Sequence, residues 1–321
     1  MIDFPAQKYN IVQAPRASAI LYHLLVSQQQ RQIWLLPANI CAIVPITFLK
    51  AGVPFELVDI SAVNLHMDLE QVEELVKSRE VGGLLYAHTY GDISTPDDFF
   101  QSLKSINPKL IIVDDRCLCI PEFEVLSSAD VVLYSTGYAK IVELGFGGYA
   151  FMKQGVDYQP ISLPFNTEHY LGIENSYKLA IQNDVKYSYH DSDWLQTDAD
   201  LPAWNEYREQ VQSALGLSLN QRETLNKIYA SRLPQEVQLP ERYQTWRFNI
   251  RVPNKMQILK AIFDNGLFAS SHYASLAGIM SEDRAPVAQA LASEVINLFN
   301  DHYFDEQKAE RVCEIILNCK S

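Results

Sequence analysis

Acidic and amine side chains follow two apolar segments in the middle of the chain. Segment 110–113 runs directly into Asp114 and Asp115. Segment 131–134 runs into a Ser-Thr-Gly-Tyr turn, and Lys140 follows that turn. Both segments have the length and composition of buried strands. We therefore expect a carboxylate and an amine at two strand ends, with hydroxyl groups between them.

This combination of groups suits a pyridine ring that carries a phosphate. A lysine amine that is uncharged part of the time can bond to an aldehyde on the ring. A carboxylate facing the ring nitrogen keeps it protonated, so that the ring can accept electrons. Hydroxyls and backbone N–H groups can hold the phosphate. Lys140, Asp115 and Ser135 fit these three demands in turn, and they predict a pyridoxal 5'-phosphate (PLP) site.

Two other interpretations of the same residues remain open. Asp114 and Asp115 could cap the turn that follows them, with Lys140 as a solvated loop lysine. Alternatively, the acid pair could hold Mg²⁺ or Mn²⁺ in a metal-dependent nucleotide-sugar transferase. The metal-based interpretation gives no role to the hydroxyl-rich turn or to the lysine.

The overall charge indicates which classes of binding partner to expect. The chain has 321 residues, 48% of them hydrophobic and 20% charged, and a formal net charge of −13. Nucleic acids and anionic membranes favour basic surfaces, so neither is expected as a partner. A small anionic ligand remains compatible, because a few N–H groups and cations in one pocket can hold it.

The cysteines and the N-terminal segment predict a cytoplasmic protein. The five cysteines are scattered and contain no C-x₂-C pair, which is typical of a reducing compartment and does not predict a metal site. The first ten residues lack the charged and apolar regions of a signal peptide. No apolar run approaches the length of a membrane span.

Strand and helix patterns alternate through the first half of the chain. This alternation predicts an α/β fold with a mostly parallel sheet flanked by helices. Segment 149–152 follows a glycine-rich turn without room for a crossover helix, so it should pair antiparallel. Ligands of such sheets collect at the carboxyl ends of the strands. The predicted strands are 34–36, 53–60, 83–87, 110–113 and 131–134, and the predicted helices begin near Ser18 or span 40–51, 68–77 and 97–105.

The second half of the chain has a different pattern. Residues 155–205 are rich in aromatic and polar groups and are predicted to be irregular. Residues 203–231 predict a long helix or a helix pair with a break near Gly216. A strand at 246–252 opens a smaller α+β unit, which continues with a helix at 255–265, a strand at 295–299 and a helix at 306–319. We therefore predict a large domain at 1–232 and a small domain at 233–321.

Further polar residues are candidates for binding or for structural roles. Ser18 is predicted to cap the first helix, next to Arg16, where a phosphate could also sit. Arg247 could hold a substrate carboxylate in the cleft or lie on the surface. His272 and Tyr273 belong to a polar turn that could close over a ligand, although a histidine is more often structural. The remaining candidates are His88, expected to brace a strand end, and Tyr138, expected beside the phosphate or shaping the lysine loop.

Five segments of the first half of the chain match a common pattern. They are LPANICAIVPITFLKAGVPFELVDI, LLYAHTYG, IIVDDRCLC, YSTGYAK and GFGGYAF. Together they resemble the DegT/StrS-type sugar aminotransferases, which are fold-type-I PLP enzymes, over roughly residues 10–155. The serine five residues before the lysine, together with the Gly-Gly strand that follows, is the more specific part of this resemblance.

The resemblance implies a role for each matching residue. Asp115, rather than Asp114, would face the pyridine nitrogen, and Lys140 would bond to the cofactor and move the proton. Ser135 would bind the phosphate, with Ser18 or the backbone beside it. The implied activity transfers an amino group from an amino-acid donor to a keto acceptor, with a nucleotide-linked keto sugar as the family's acceptor. The resemblance also implies a homodimer, because fold-type-I sites are built from two subunits.

Two residues depart from the family's pattern. Cys41 stands where an aromatic ring usually stacks on the cofactor, and a thiol can pack there only as a small soft group. Leu118 stands three residues after the pyridine acid, where the family has Gln or His. These departures leave a non-catalytic binding or assembly protein with the PLP fold as a further alternative, and another PLP reaction on the same fold also remains open. Lys140 itself favours transamination, since the dehydrating members carry a histidine in its place.

Overall fold

A seven-stranded sheet forms the larger part of the computed structural model, which describes residues 9–29 and 31–319. In chain order its strands are β1 (Tyr9–Ala14), β2 (Ile33–Pro37), β3 (Phe55–Val58), β4 (Val81–Ala87), β5 (Ile111–Asp115), β6 (Val131–Ser135) and β7 (Gly148–Lys153). Five of them, in the order β3-β2-β4-β5-β6, run parallel, whereas β7 is antiparallel to both β6 and β1. The predicted α/β class and the antiparallel strand after the glycine-rich turn are confirmed.

Helices cover both faces of this sheet because its central strands are apolar on both sides. The helices are α1 (Ala17–Ser27), α2 (Ile43–Ala51), α3 (Leu69–Ser78), α4 (Asp97–Ile106), α5 (Thr167–Gln182) and α6 (Trp204–Arg232). Val113 of β5 packs in the core shared with α1 and α2, whereas its neighbour Ile112 packs in the core shared with α3 and α4. No helix in the described ranges is long and apolar enough to cross a membrane.

The C-terminal part of the chain forms a smaller α+β unit, as predicted. Its elements are β8 (Phe248–Arg251), α7 (Lys255–Asp264), β9 (Ala269–Ser270), α8 (Pro286–Glu294), β10 (Val295–Leu298) and α9 (Glu306–Asn318). The three strands form an antiparallel sheet in the order β8-β10-β9. Short β9 and the helix α8 were not predicted from the sequence.

Helix α6 belongs to the cores of both units. Tyr207 and Val211 near its start pack with β6 and β7, and Leu225 and Tyr229 near its end pack with the small sheet. The predicted break near Gly216 is wrong, since α6 is continuous from Trp204 to Arg232. A glycine in a helix lowers stability without having to interrupt the hydrogen bonds. The domain boundary at residue 232 stays a prediction.

Helix α5 was missed, because residues 155–205 were predicted to be irregular. Asn166 caps this helix by accepting hydrogen bonds from the backbone N–H groups of Glu168 at 2.8 Å and His169 at 3.2 Å. Only Ile173 and Ala180 of the helix are buried, so the apolar periodicity that marks a helix in sequence is weak. Strand β1 was also not predicted. Helix α2 begins at Ile43, three residues later than expected from the sequence.

Candidate active site

The carboxyl ends of the parallel strands open into one cavity of about 470 Å³. This volume is typical of a small-molecule site. The expected convergence of strand-end residues is found, and it follows from the shared direction of β2, β4, β5 and β6. The strand-end residues that line the cavity are Cys41, His88, Asp115, Ser135 and Lys140.

Asp115 is the last residue of β5, and one of its two carboxylate oxygens has a hydrogen-bond partner in the described chain. Its Oδ1 accepts a hydrogen bond from the backbone N–H of Cys117 at 2.9 Å. Among the described residues, no hydrogen-bond donor is found for Oδ2. Asp115 is buried and lines the cavity. One carboxylate oxygen is therefore available to a ligand.

Asp114 has the opposite environment, because successive strand residues point to opposite faces. Its Oδ1 is 2.6 Å from Nε2 of His88, and its Oδ2 accepts from Nε of Arg116 at 2.9 Å. Burial alone would raise the pKa of Asp114, but His88 and Arg116 outweigh it and the pKa is lowered. His88 therefore braces the strand end, as expected. Asp114 has no oxygen free to share a metal ion with Asp115, which argues against the metal-based interpretation.

Lys140 reaches the cavity from the turn after β6. Within residues 9–29 and 31–319, its Nζ has neither a hydrogen-bond acceptor nor a carboxylate partner. The turn is closed by backbone hydrogen bonds from Thr136 to the Gly147 carbonyl at 3.1 Å and from Leu144 to the Thr136 carbonyl at 2.8 Å. In the described chain, the Ser135 hydroxyl accepts a hydrogen bond only from the backbone N–H of Gly137, at 3.3 Å. The amine and the hydroxyl are both accessible to a ligand.

The start of α1 forms the cavity wall beside this turn. Arg16, not Ser18, is the N-cap residue, and it makes no side-chain capping bond, so the predicted capping role of Ser18 is wrong. Ser18 lies inside the first turn and lines the cavity with Ala17. A Cβ on Gly148 would lie 2.5 Å from the Ala17 nitrogen, so only glycine lets β7 pass so close. The unpaired N–H groups of a first helical turn attract anions.

Arg16 adds a cation to the same wall. Its Nε is buried without a hydrogen-bond partner in the described chain. Its guanidinium lies 4.7 Å from the centroid of the Tyr170 ring. Arg16 lines the cavity, so its position suits an anionic group at the start of α1.

The two residues that depart from the family's pattern lie in the cavity wall. Burial raises the pKa of Cys41, which keeps its thiol neutral. The pKa of the neighbouring Cys117 thiol is also raised well above its usual value by burial. Leu118 is 8% exposed and can only pack. This part of the wall therefore consists of neutral thiols and an aliphatic side chain.

Helix α5 contributes a wall that the sequence analysis missed. Tyr170, Glu174, Tyr177 and Lys178 line the cavity. Nζ of Lys178 is 2.9 Å from Oε1 of Glu174. The spacing i, i+4 and i+7 of Tyr170, Glu174 and Tyr177 would have indicated one helix face, had the segment been read as helical.

The small unit also contributes residues to the cavity wall. Trp246, His272 and Tyr273 line it, and Tyr138 lies at the exposed rim. The His272 ring packs against the rings of Trp246 and Tyr273, with ring centroids 5.9 Å and 5.2 Å away. Desolvation, together with the positive charges of nearby Arg and Lys side chains, lowers the pKa of His272 to about 4. His272 is therefore neutral at neutral pH.

Arg247 does not lie among the lining residues. Its Nη1 donates to Ser270 Oγ at 2.9 Å, and its Nη2 is 4.0 Å from Asp301. The guanidinium also sits 3.6 Å from the centroid of the Phe299 ring. Arg247 is 4% exposed and is held inside the small unit. The expectation that it holds a substrate carboxylate in the cleft is therefore not supported.

Comparison with solved structures identifies the fold. A DegT/DnrJ/EryC1/StrS aminotransferase from Brucella abortus matches with a TM-score of 0.68 and 14% identity, covering 97% of this chain and 86% of that chain. A sugar aminotransferase from Streptococcus pneumoniae in its PMP form matches with a TM-score of 0.67 and 16% identity over 95% and 86% of the two chains. PseC from Helicobacter pylori, an aminotransferase of pseudoaminic acid biosynthesis, matches with a TM-score of 0.67 and 13% identity over 96% and 86%.

These likenesses show that the chain has the fold of the PLP-dependent sugar aminotransferases. No protein-family model and no curated protein matches the chain in sequence. At 13–16% identity the comparison establishes the architecture and leaves the chemistry to the residues of the site.

Proposed function

We propose that this protein is a PLP-dependent aminotransferase of the DegT/StrS type. It transfers an amino group from an amino-acid donor to a keto acceptor, with a nucleotide-linked keto sugar as the acceptor class. One observation carries the proposal: Lys140, whose amine has no partner in the described chain, and Asp115, with one free carboxylate oxygen, line the same cavity from adjacent strands.

The residues of the cavity fit PLP. The free oxygen of Asp115 suits the protonated ring nitrogen, and the amine of Lys140 suits the aldehyde. The hydroxyl of Ser135, the first turn of α1 with Ser18, and Arg16 form the anionic end. When bound, PLP supplies an electron sink for the carbanion at the substrate carbon.

The walls of the cavity have complementary roles in this proposal. Cys41 and Leu118 pack against the ring without competing for its polar atoms. Tyr138 shields the phosphate end from the rim. His272 and Tyr273 face the substrate from the small unit as neutral, hydrogen-bonding groups. The Nζ of Lys140 would take the proton from the donor's Cα, and in the second half of the reaction it would deliver a proton to the acceptor carbon that receives the amino group.

Three properties of the whole chain complete the proposal. The protein works as a homodimer in the cytoplasm, with the site completed by the second subunit. Its domains are residues 1–232 and 233–321, joined at the end of α6. Glutamate is the donor that the resemblance suggests.

Borohydride trapping tests the cofactor. The purified protein supplied with PLP should show a visible absorption band, and reduction should fix the cofactor to the peptide that contains Lys140. Lys140→Ala should abolish trapping, whereas Lys178→Ala, which changes another cavity lysine, should keep it. A protein that stays colourless with added PLP would refute the proposal.

The amino-transfer half is tested separately with amino acids alone. Glutamate or another amino acid should convert the bound cofactor to its amine form, with loss of the visible band and release of the keto acid. Binding of PLP without conversion by any amino acid would favour the non-catalytic alternative. Stabilisation by Mn²⁺ and a nucleotide sugar, without PLP binding, would favour the metal-dependent transferase.

A further inference from the structure

Side chains that are distant in the chain bind the backbone carbonyls of residues 139–141. Two of these side chains come from α6, and the third comes from the residue pair that leads into β8. The segment that carries the Lys140 amine is thereby fixed from outside the turn. The pairs are Ala139 O with Trp246 Nε1 at 2.7 Å, Lys140 O with Arg222 Nη2 at 3.0 Å, and Ile141 O with Ser218 Oγ.

Arg222 is a buried cation that binds neutral oxygens. It is 4% exposed, and within the described ranges no carboxylate lies at ion-pair distance from it. Burial lowers the pKa of Arg222 to about 10, so it remains charged at neutral pH. A buried charge without a counterion costs free energy unless its N–H groups are satisfied. Its acceptors besides the Lys140 carbonyl are Asn300 Oδ1 at 2.6 Å, Ser218 Oγ at 3.2 Å and the Trp246 carbonyl.

The residue before Lys140 needs these bonds to keep its conformation. Ala139 has φ +56°, a left-handed conformation that is unfavourable for alanine. Its N–H donates to Oε2 of Glu143 at 2.8 Å, and its carbonyl is held by Trp246. Such a conformation persists only where the surroundings impose it. The direction in which Lys140 leaves the backbone is therefore set by its neighbours in space.

We propose that Arg222 is a positioning residue for Lys140. By holding the Lys140 carbonyl with a charge-assisted hydrogen bond, it fixes the direction in which the amine enters the cavity. Ser218 and Trp246 hold the carbonyls on either side. The same guanidinium binds the Trp246 carbonyl and Asn300, so Lys140 is also tied to the small unit. This inference rests on the proposed function, in which Lys140 bonds to PLP.

Two forms of the cofactor separate positioning of Lys140 from the shape of the cavity. With PLP, the Lys140 nitrogen adds to the aldehyde carbon, a C=N bond replaces C=O, and the oxygen leaves as water. Pyridoxamine phosphate carries an amine in place of the aldehyde and cannot condense with Lys140. A defect confined to the position of Lys140 should therefore weaken the binding of PLP and spare that of pyridoxamine phosphate.

Equilibrium binding of both cofactors to the full-length apoprotein provides the test. Arg222→Gln should weaken PLP binding by about tenfold, the effect of one charge-assisted hydrogen bond, and leave pyridoxamine phosphate binding unchanged. Ser218→Ala should weaken PLP binding alone, by about threefold. Arg232→Gln and Ser231→Ala are matched controls on the same helix, with a partner outside the site, and should bind both cofactors like the wild type.

A double variant tests whether Arg222 and Lys140 affect PLP binding through the same bond. In a Lys140→Ala background, Arg222→Gln should have no further effect on PLP binding, because the two residues act through one bond. An equal loss of both cofactors, or an additional loss in the Lys140→Ala background, would show a merely structural role and overturn the inference. If Arg222→Gln does not fold, Ser218→Ala decides, and unchanged PLP binding by that variant overturns it.

The wild-type control keeps the two proposals apart. Wild-type protein that is trapped on Lys140, with Arg222→Gln binding PLP equally well, would overturn the positioning role alone. Wild-type protein that binds no PLP would overturn the proposed function and the positioning role together.

Discussion

Asp114 and Asp115 are neighbours in sequence with opposite roles in the structure. Asp114 is fully buried, with both oxygens bound by His88 and Arg116. Asp115 keeps one oxygen for the cavity. The alternation of side chains along a strand separates them, so each can be tested without disturbing the contacts of the other.

Asp114→Asn should lower the free energy of unfolding by about 2 kcal/mol at pH 7, because it removes the negative charge that the buried Arg116 guanidinium and the His88 ring bind. The folded-state pKa of Asp114 is lowered from 3.8. Its stabilising contribution is therefore present above that value and is lost as the pH falls through the folded-state pKa. Urea unfolding from neutral to acidic pH should show the difference between variant and wild type narrowing below about pH 4.

Asp115→Asn is the matched control for that experiment. It should change the free energy of unfolding of the apoprotein by less than about 1 kcal/mol, since in the described chain the carboxylate accepts one backbone hydrogen bond, from Cys117. It should, however, reduce amino transfer strongly, because an amide does not hold the ring nitrogen protonated. A larger stability loss in Asp115→Asn than in Asp114→Asn would contradict these assignments.

Helix α6 is the element that connects the two sheets and the lysine turn. Its N-terminal part packs on the large sheet, and its C-terminal part packs on the small sheet. Side chains between these two parts bind the backbone carbonyls around Lys140. Gly216 lies in its exposed middle, and a Cβ there would meet no other atom within 4 Å. The glycine therefore weakens the helix without serving a contact in the described chain.

Gly216→Ala should raise the free energy of unfolding by about 0.5–1 kcal/mol, through the lower entropy of the unfolded chain and better helix propensity. Thermal or urea unfolding measures it. Gly147→Ala is the contrasting variant, because Gly147 has φ +92° and a Cβ there would lie 2.6 Å from the Tyr207 hydroxyl. It should be destabilised by about 1–3 kcal/mol. A destabilised Gly216→Ala would indicate that α6 is bent or packed against another chain.

At the scale of the whole molecule, exposed apolar side chains lie beside the site. Leu217 of α6 is 76% exposed and precedes Ser218, which binds the lysine turn. Tyr138 at the cavity rim is 63% exposed. A contiguous exposed apolar patch is typical of a surface that another chain covers, and we propose that Leu217 and Tyr138 belong to such a patch. They agree with the homodimer that we propose.

Sedimentation equilibrium should give twice the mass of the chain, and Leu217→Asp should shift the equilibrium towards the monomer. Met256→Asp is the matched control, since Met256 is 73% exposed but lies on α7 of the small unit. It should leave the mass unchanged. A monomeric wild type, or equal effects of both variants, would contradict this position of the subunit interface.

The sequence by itself determined the parallel α/β sheet, the antiparallel strand after the glycine turn, and the edge at which Asp115, Ser135 and Lys140 meet. These features depend on local patterns, because strand length, strand direction and the position of a strand's end can be inferred from consecutive residues. The same logic predicted the bracing role of His88. The long helix α6 was also predicted, apart from its continuity through Gly216.

Only the tertiary structure decided which contacts each polar group makes. It placed Arg247 inside the small unit, put α5 on the cavity, excluded Ser18 as a cap, and joined Arg222 to the Lys140 carbonyl. The partners of Arg247 and Arg222 are tens of residues away in the chain, and no local period or spacing encodes which residues meet. Lys140 itself was evident from its neighbours in sequence, whereas the groups that aim it come together only when α6 packs between the two sheets.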